Sequence, residues 1–484
     1  MNTQNPVGSA KSGTLTLNGV TVVCARTGKL TPNTDVAVEN GVIRSIGSGA
    51  GQQNPQARSI DARGKFLVPG FFDMHVHSMQ QPNPADNLMI MLAHGITGVR
   101  QMAGSPELLE KRKKGELDFG PETPELLAMP GAILAGGNAA TPEAAVEEVK
   151  KQKAQGADFI KTIAVSPKAF FASLEESKRQ GLPYGGHVSP GVDIVKASKR
   201  GMNFIEHLGP TELALIRCSS AELVIRTILA LRPPPPFNLS EEELRGKKTQ
   251  MLVANPSLFR LQIDPGSMSK TKRLVSSYKE GKSRALAALF AENDTWQCPT
   301  LIRNETMAFG HDPRFTQAPE LRYVPAEVRS LWDEVAVEYA SKLKPEDQDT
   351  LKRLMDLSFR LVKDFDDAGV KMMAGTDYGG GWVIPGVSLH QEFDLLEKCG
   401  LSPLRVLQMT TISGAEFLGI ENRCGTVEEG KDGNFVLLDA DPIESIQNLH
   451  TVAGVVRNGN YYSKDELASI LLQVEKKLAS GGVN

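Results

Sequence analysis

Between Gly13 and about Asp61 apolar and polar positions alternate in short runs, TLTLNGVTVV and DVAVENGVIRSIG, broken by Asn-Gly and Thr-Gly pairs. A period of two interrupted in this way predicts antiparallel strands joined by tight turns. The same texture returns in GTVEEGKDGNFVLLDADP and TVAGVVRNGNYY, so a small β-sandwich is expected from residues 1–65 and 421–484 together. Between them the period changes. Short apolar strands, FLVPGFFDMHVH, GITGVRQMA, GAILAGG, GADFIKTIAV, GLPYGGHV, GMNFIEHL, TWQCPTLI and GVKMMAGTD, alternate with helical stretches such as TPEAAVEEVKKQKAQ. Eight β/α units predict an α/β architecture, a (β/α)8 TIM-type barrel over residues 66–420. The late run LASILLQVEKKL predicts one amphipathic helix packed on the rest.

Two stretches leave this rhythm. An insertion over about 209–295 contains four consecutive prolines, Pro233 to Pro236, which favour an extended polyproline segment. A second, from His311 to Leu343, reads as a polar loop followed by an amphipathic helix. Both would leave from the carboxyl face of the barrel, where such folds keep their chemistry, so either could cover a site.

Composition narrows the class of partner. A chain of 484 residues, 40 % hydrophobic and 23 % charged, can bury a large core. A net charge of -3 gives no basic field for nucleic acid and no polybasic patch for a membrane, which leaves small molecules as the expected substrates. The five cysteines are scattered without a C-x-x-C pair, which argues against a zinc ribbon or a disulfide framework. The first residues hold no apolar leader and no later run reaches membrane length, so the expected compartment is the cytoplasm. Barrels of this kind often self-associate, and nothing in the sequence fixes a symmetry.

Candidate chemistry begins at the first barrel strand. His75 and His77 are two residues apart, so in an extended strand they face the same side. Two imidazoles cannot hold a metal tightly alone, and the other strand ends were read for partners. Lys161 lies in GADFIKTIAV, His187 ends GLPYGGHV, His207 ends GMNFIEHL and Asp377 ends GVKMMAGTD. Each has an ordinary reading taken singly, a core histidine or a helix cap. Six together, in that order at strand ends, point to a metal site. Lys161 is the telling member, because burial favours the neutral amine, and an amine can take up carbon dioxide as a carbamate that bridges two cations.

On these residues the chain resembles the amidohydrolase superfamily. PGFFDMHVH matches the first strand, GTD the eighth, and the tail from LHQEFDLLEKCG to DADP fits as well. Within the superfamily it looks most like the binuclear branch that contains Xaa-Pro dipeptidases and ochratoxin-type amidases. That resemblance implies two divalent ions, zinc the expected one: His75, His77 and Asp377 on the first, His187 and His207 on the second, carboxylated Lys161 bridging both. It implies a bridging hydroxide as nucleophile, with Asp377 relaying its proton to the leaving amine. The expected reaction is cleavage of an amide in an N-acyl amino acid or dipeptide-like substrate. Arg303, just past CPTLI, could grip a carboxylate on that substrate, and Tyr378 and Trp382 could line the leaving-group pocket. The chain departs from the branch at TIAVSP after Lys161 and in the long insertion, both beside the substrate pocket. A lactonase or esterase using the same ligands is the alternative, and a non-catalytic scaffold would be expected to lack them. A deaminase would need a His-x-x-Glu that GGHVSPG does not provide, and strand alternation turns Glu206 away from the side His207 faces.

Overall fold

The computed structural model describes residues 14–50, 57–189, 191–209, 213–230, 246–264 and 266–480. Strands from both ends of the chain form one sheet of eight. They are β1 (Leu15–Val23), β2 (Leu30–Glu39), β3 (Val42–Ile46), β4 (Arg58–Asp61), β5 (Phe66–Pro69), β14 (Phe435–Leu438), β15 (Val452–Arg457) and β16 (Asn460–Ser463). Their order is β16-β15-β14-β5-β1-β2-β3, with β4 beside β1. Two of the Asn-Gly pairs act as read: Asn40 and Gly41 (φ 51° and 74°) join β2 to β3, and Asn458 and Gly459 (φ 51° and 75°) join β15 to β16, whereas Asn18-Gly19, also expected as a turn, lies inside β1 at an irregularity of its pairing with β2. Both residues of each joining pair lie in the left-handed region that a type I′ hairpin turn demands. Leu15, Leu17, Val36, Val38, Phe435 and Val456 form a small core of this sheet.

The strand expected over FLVPGFFDMHVH divides at Gly70. Its first half, β5, pairs antiparallel with β14 and parallel with β1 in the terminal sheet. Its second half, β6 (Phe71–Val76), turns into the interior and pairs in parallel with β7 (Ile96–Gln101). A Cβ at Gly70 would lie 2.1 Å from Thr97 Oγ1, so only glycine lets the chain pass this close to β7 as it changes sheets.

Parallel pairing runs β6-β7-β8 on one side, with β8 at Glu125–Ala128, and β13-β12-β11-β10-β9 on the other. The latter strands are β9 (Leu134–Ala135), β10 (Ile160–Ala164), β11 (Tyr184–Gly186), β12 (Phe204–Glu206) and β13 (Trp296–Cys298). GAILAGG therefore contributes only two strand residues, and the ladder beside β7 is made by Glu125–Ala128, upstream of Pro130 and Gly131. The stretch GVKMMAGTD makes isolated bridges in place of a regular strand, and it joins the two halves. Met373 N donates to Gln297 O at 3.0 Å on one side, and Met74 N to Ala374 O at 2.9 Å and Asp377 N to His75 O at 2.8 Å on the other. The two remaining ends, β8 and β9, are linked by residues 129–133 with no ladder between them.

In the insertion, the described residues form short helices that include Glu222–Ala230, Lys247–Ala254, Pro256–Ile263, Ser267–Ser277 and Glu280–Glu292. The four-proline run lies outside the described residues. The second excursion holds the expected helix, Ala326–Lys342, and the closing helix is Lys464–Ala479, started by a Ser463/Glu466 capping box. All five cysteines are free thiols. Among the described residues no helix is long and apolar enough to cross a membrane.

Candidate metal centre

The parallel strands bring five of the six predicted side chains to one place, and the sixth, Lys161, is buried on β10 within the electrostatic reach of Glu206 and Asp377. Asp377 stands at the centre. Its Oδ1 is 3.1 Å from His75 Nε2 and 3.2 Å from His77 Nε2, and its Oδ2 is 4.0 Å from His207 Nε2. The rings of His75 and His207 have centroids 4.7 Å apart, and His187 lies 5.0 Å from His207. Ligand atoms of His75, His207 and Asp377 all fall within 4.8 Å of one another. Lys161, on β10, is 1 % exposed, and its Nζ has no hydrogen-bond partner. A Cβ at Gly186 would lie 2.5 Å from Lys161 Cδ, so the glycine on β11 leaves room for the lysine stem.

Two candidate ligands, and three residues close to them in the chain or the site, lie on strained backbone. His207 (φ 58°), Leu208 (φ 58°), Thr300 (φ 44°), Asp377 (φ 61°) and Trp382 (φ 58°) all lie in the left-handed region without being glycine. Such positions persist only where the surroundings enforce them, and they gather at functional sites.

The electrostatics favour neutral nitrogen donors facing an anionic oxygen. Burial pushes the His187 imidazole well below its ordinary pKa and His207 down to about 3, in the latter case against the pull of Asp377. Burial also lowers Lys161 and outweighs the attraction of Glu206 and Asp377. Burial would raise the Asp377 carboxyl, yet His75 and His207 hold it well below the usual carboxylate range.

These residues fit a divalent cation. His75 Nδ1 is 2.7 Å from Glu206 Oε2; with Nδ1–H donating to that carboxylate, Nε2 is a lone pair facing Asp377 Oδ1. That Nε2 is buried without a hydrogen-bond partner. Two acceptors opposed at 3.1 Å, in a site whose buried Lys161 Nζ also has no hydrogen-bond partner, form a donor set that a metal would satisfy.

The three residues expected on the substrate side fare differently. Arg303 is next to Asp377, with Nε 3.3 Å from Oδ2, but Nη1 donates to Ala254 O at 3.0 Å and Nη2 to Val253 O at 2.6 Å. Its fork is thus engaged by the carboxyl end of an insertion helix. Tyr378 is 7 % exposed and packs in the main hydrophobic core. Its carbonyl does the local work by accepting from His77 N at 2.8 Å. Trp382 is also buried, with its ring 5.8 Å from that of Trp332.

Other residues that hold the ligands were not found from sequence. Asp73 accepts from His75 N (3.1 Å), Thr376 N (3.0 Å) and Thr376 Oγ1 (2.7 Å), which ties the first strand to the stretch carrying Asp377. His207 Nδ1 is 2.5 Å from Thr300 Oγ1. Glu392 accepts from Leu301 N and Ile302 N (3.0 and 2.7 Å) and so caps the helix that bears Arg303. Glu206 reverses an expectation. Alternation ends with β12 at Glu206, and the left-handed turn at His207 brings both residues inward, with Glu206 fully buried and paired to Arg100. The visible signal was a carboxylate in the apolar run FIEHL.

Fold and site together define a class: an α/β protein with side chains that could hold a metal gathered where its parallel strands end. Comparison with known proteins narrows this. Residues 356–461 match the amidohydrolase family. A bottromycin amidohydrolase structure superposes over 97 % of this chain and 91 % of its own, with TM-score 0.69 and 21 % identity. A Xaa-Pro dipeptidase structure covers 93 % and 100 % (TM-score 0.58, 18 %), and the ochratoxinase of A. niger 94 % and 96 % (TM-score 0.57, 17 %). At these identities the likeness is one of fold. In sequence, an adenine deaminase of Bacillus pumilus is 38 % identical over 94 residues, 17 % of this chain and 16 % of its own length. The chain thus spans about a sixth of that relative. The family match over residues 356–461 and the shared fold fit the resemblance to the amidohydrolase superfamily read from the motifs.

Proposed function

We propose that the protein is a binuclear metal-dependent hydrolase that cleaves an amide in a small N-acyl amino acid or dipeptide-like substrate. The observation that carries this is Asp377, whose carboxylate meets His75 and His77 at 3.1 and 3.2 Å within reach of His207. His75, His77 and Asp377 would hold one ion, His187 and His207 the other, and Lys161, carboxylated, would serve both. When bound, such ions acidify a water toward neutral pH and polarise the scissile carbonyl. The chain's own part is proton handling and shape. Asp377 accepts the proton of the attacking water and returns it to the leaving nitrogen, a role that its place between His75, His77 and His207 supports. Asp73 keeps His75 and Asp377 in register through its three hydrogen bonds. A closed (β/α)8 barrel with a companion β domain is the architecture this reading implies.

A second reading has a specific observation behind it. A free carboxylate beside the leaving nitrogen would want the guanidinium of Arg303, and that fork already serves the carbonyls of Val253 and Ala254. A substrate without that carboxylate, a lactone or simple ester, would not compete for it. The test is product release by zinc-loaded protein from Xaa-Pro dipeptides, N-acetyl amino acids and N-aroyl phenylalanines, with lactones and aryl esters alongside. Amine release that falls at least a hundredfold in Asp377→Asn, with metal retained, supports the amide reading. Turnover confined to the lactones and esters replaces it with the second, and near-wild-type turnover by Asp377→Asn removes Asp377 from the chemistry.

A further inference from the structure

Beneath the candidate centre lies a buried ion pair that touches it at a single atom. Glu206 closes β12. Its Oε2 is 2.7 Å from His75 Nδ1, and its Oε1 accepts from Arg100 Nη2 at 2.6 Å. Arg100 comes from β7, and its Nε donates at 2.6 Å to the carbonyl of Met74, the residue before His75. Its guanidinium stands over three aromatic rings, Phe204 at 4.9 Å, Phe417 at 5.0 Å and Phe159 at 5.6 Å. Arg100, Glu206 and His75 are all 0 % exposed.

A buried ion pair is a poor way to stabilise a core, because desolvating both charges offsets their attraction and an apolar pair of similar volume packs as well. An arginine caged by three phenylalanines is costly unless it serves something besides packing. What this pair does locally is fix one imidazole from two directions: Arg100 holds the backbone at Met74, and Glu206 holds the ring at Nδ1. The structure assigns Arg100 and Glu206 as positioning residues for His75. Glu206 accepts a hydrogen bond from Nδ1–H and so keeps the Nε2 lone pair aimed at Asp377, while Arg100 aligns the carboxylate that does this. A carboxylate behind a metal-binding histidine also makes the imidazole a stronger donor. The assignment rests on the reading of His75 as a metal ligand.

Zinc affinity, measured by competition with a chromophoric chelator, tests this without reference to any substrate. Glu206→Gln should weaken binding of one zinc ion about ten- to a hundredfold. Because that variant leaves Arg100 unpaired in the core, the double variant Arg100→Met with Glu206→Gln removes both charges together. It should keep the circular dichroism and melting of the metal-free protein and show the same loss of affinity. A folded double variant with wild-type zinc affinity and stoichiometry would overturn the assignment and leave the pair as packing. Nitrogen-15 spectra of histidine-labelled wild-type protein decide the matter even if neither variant folds. The His75 ring, assigned with His75→Asn, should carry its proton on Nδ1 with and without zinc, and a proton on Nε2 in the metal-free protein would refute the proposal. If the wild-type protein binds no zinc, the metal-centre reading fails, while the tautomer still reports on the pair.

Discussion

Lys161 shows how much can turn on one side chain. An ammonium at 1 % exposure with no partner is costly, and burial lowers its pKa toward the amine that reacts with carbon dioxide. Lys161→Ala should therefore lose bound zinc and activity together, and short carboxylic acids added to the buffer should restore part of each. Elemental analysis before and after the addition checks this, and a fully active variant with two metals would show that no lysine bridge exists. The six candidate ligands were legible because residue type and position at the end of an apolar run are properties of the sequence itself. Their supports were not. Glu206 meets His75 across 131 residues of chain, and Asp73 meets Thr376 across 303, so both contacts exist only once the strands are arranged. Glu206 was misread for a local reason, since period-two alternation stops where the strand does, and His207 lies one residue past that point.

At the scale of the element, the insertion is held down by its helix end. The carbonyls of Val253 and Ala254 close Lys247–Ala254, and both accept from Arg303, while Gly381 N donates to Ala254 O at 3.1 Å. A cation at the carboxyl end of a helix is favourable in itself, since the last carbonyls otherwise lack partners. Gly381 has no room to spare, as a Cβ there would lie 2.7 Å from Ala254 O. Gly381→Ala should push this helix end off the Asp377 loop, at a cost of about 1–3 kcal/mol in stability. Hydrogen exchange should then speed up across Lys247–Ala254 and Pro256–Ile263, and unchanged protection would show that the contact does not hold the insertion. The proline run announced an excursion in the sequence; that the excursion returns to the site through two backbone carbonyls could not be read there. Strand limits were equally opaque where pairing sets them, as in the division at Gly70 and the displacement of the third strand to Glu125–Ala128.

For the molecule as a whole, acid should loosen the seam between the helices around the parallel strands and the terminal sheet. His94 ends the helix Pro84–Ala93, His390 lies in Val387–Lys398, and His450 ends the turn that leads into β15. His390 Nε2 donates to His94 O at 2.8 Å, and its ring is 5.1 Å from that of His450, whose Nε2 is 3.0 Å from Asp394. Burial, with His94 and His450 close by, pushes His390 down to about 3, and burial lowers His94 as well. Above the ordinary histidine pKa near 6.5 both states are neutral and stability is fully present. Between there and about 3 the unfolded chain binds a proton that folded His390 refuses, so stability falls as pH falls, by up to about 1.4 kcal/mol per pH unit for this histidine. Urea midpoints from pH 7.5 to 4.5 should show a shallower slope in His390→Gln, whose amide can still donate to His94 O. Equal slopes would place the acid sensitivity elsewhere.

The pairing of β5 with β14 has a consequence for how the chain is made. During synthesis β5 leaves the ribosome with β1 already available as one neighbour, while β14 at Phe435–Leu438 follows only after all of residues 70–434. Until then, the strand that leads directly into His75 and His77 keeps one bare edge, and bare edges recruit strands from other chains. A nascent or truncated copy lacking Phe435–Leu438 should therefore fail as an aggregate, even though every candidate ligand through Asp377 has already been made.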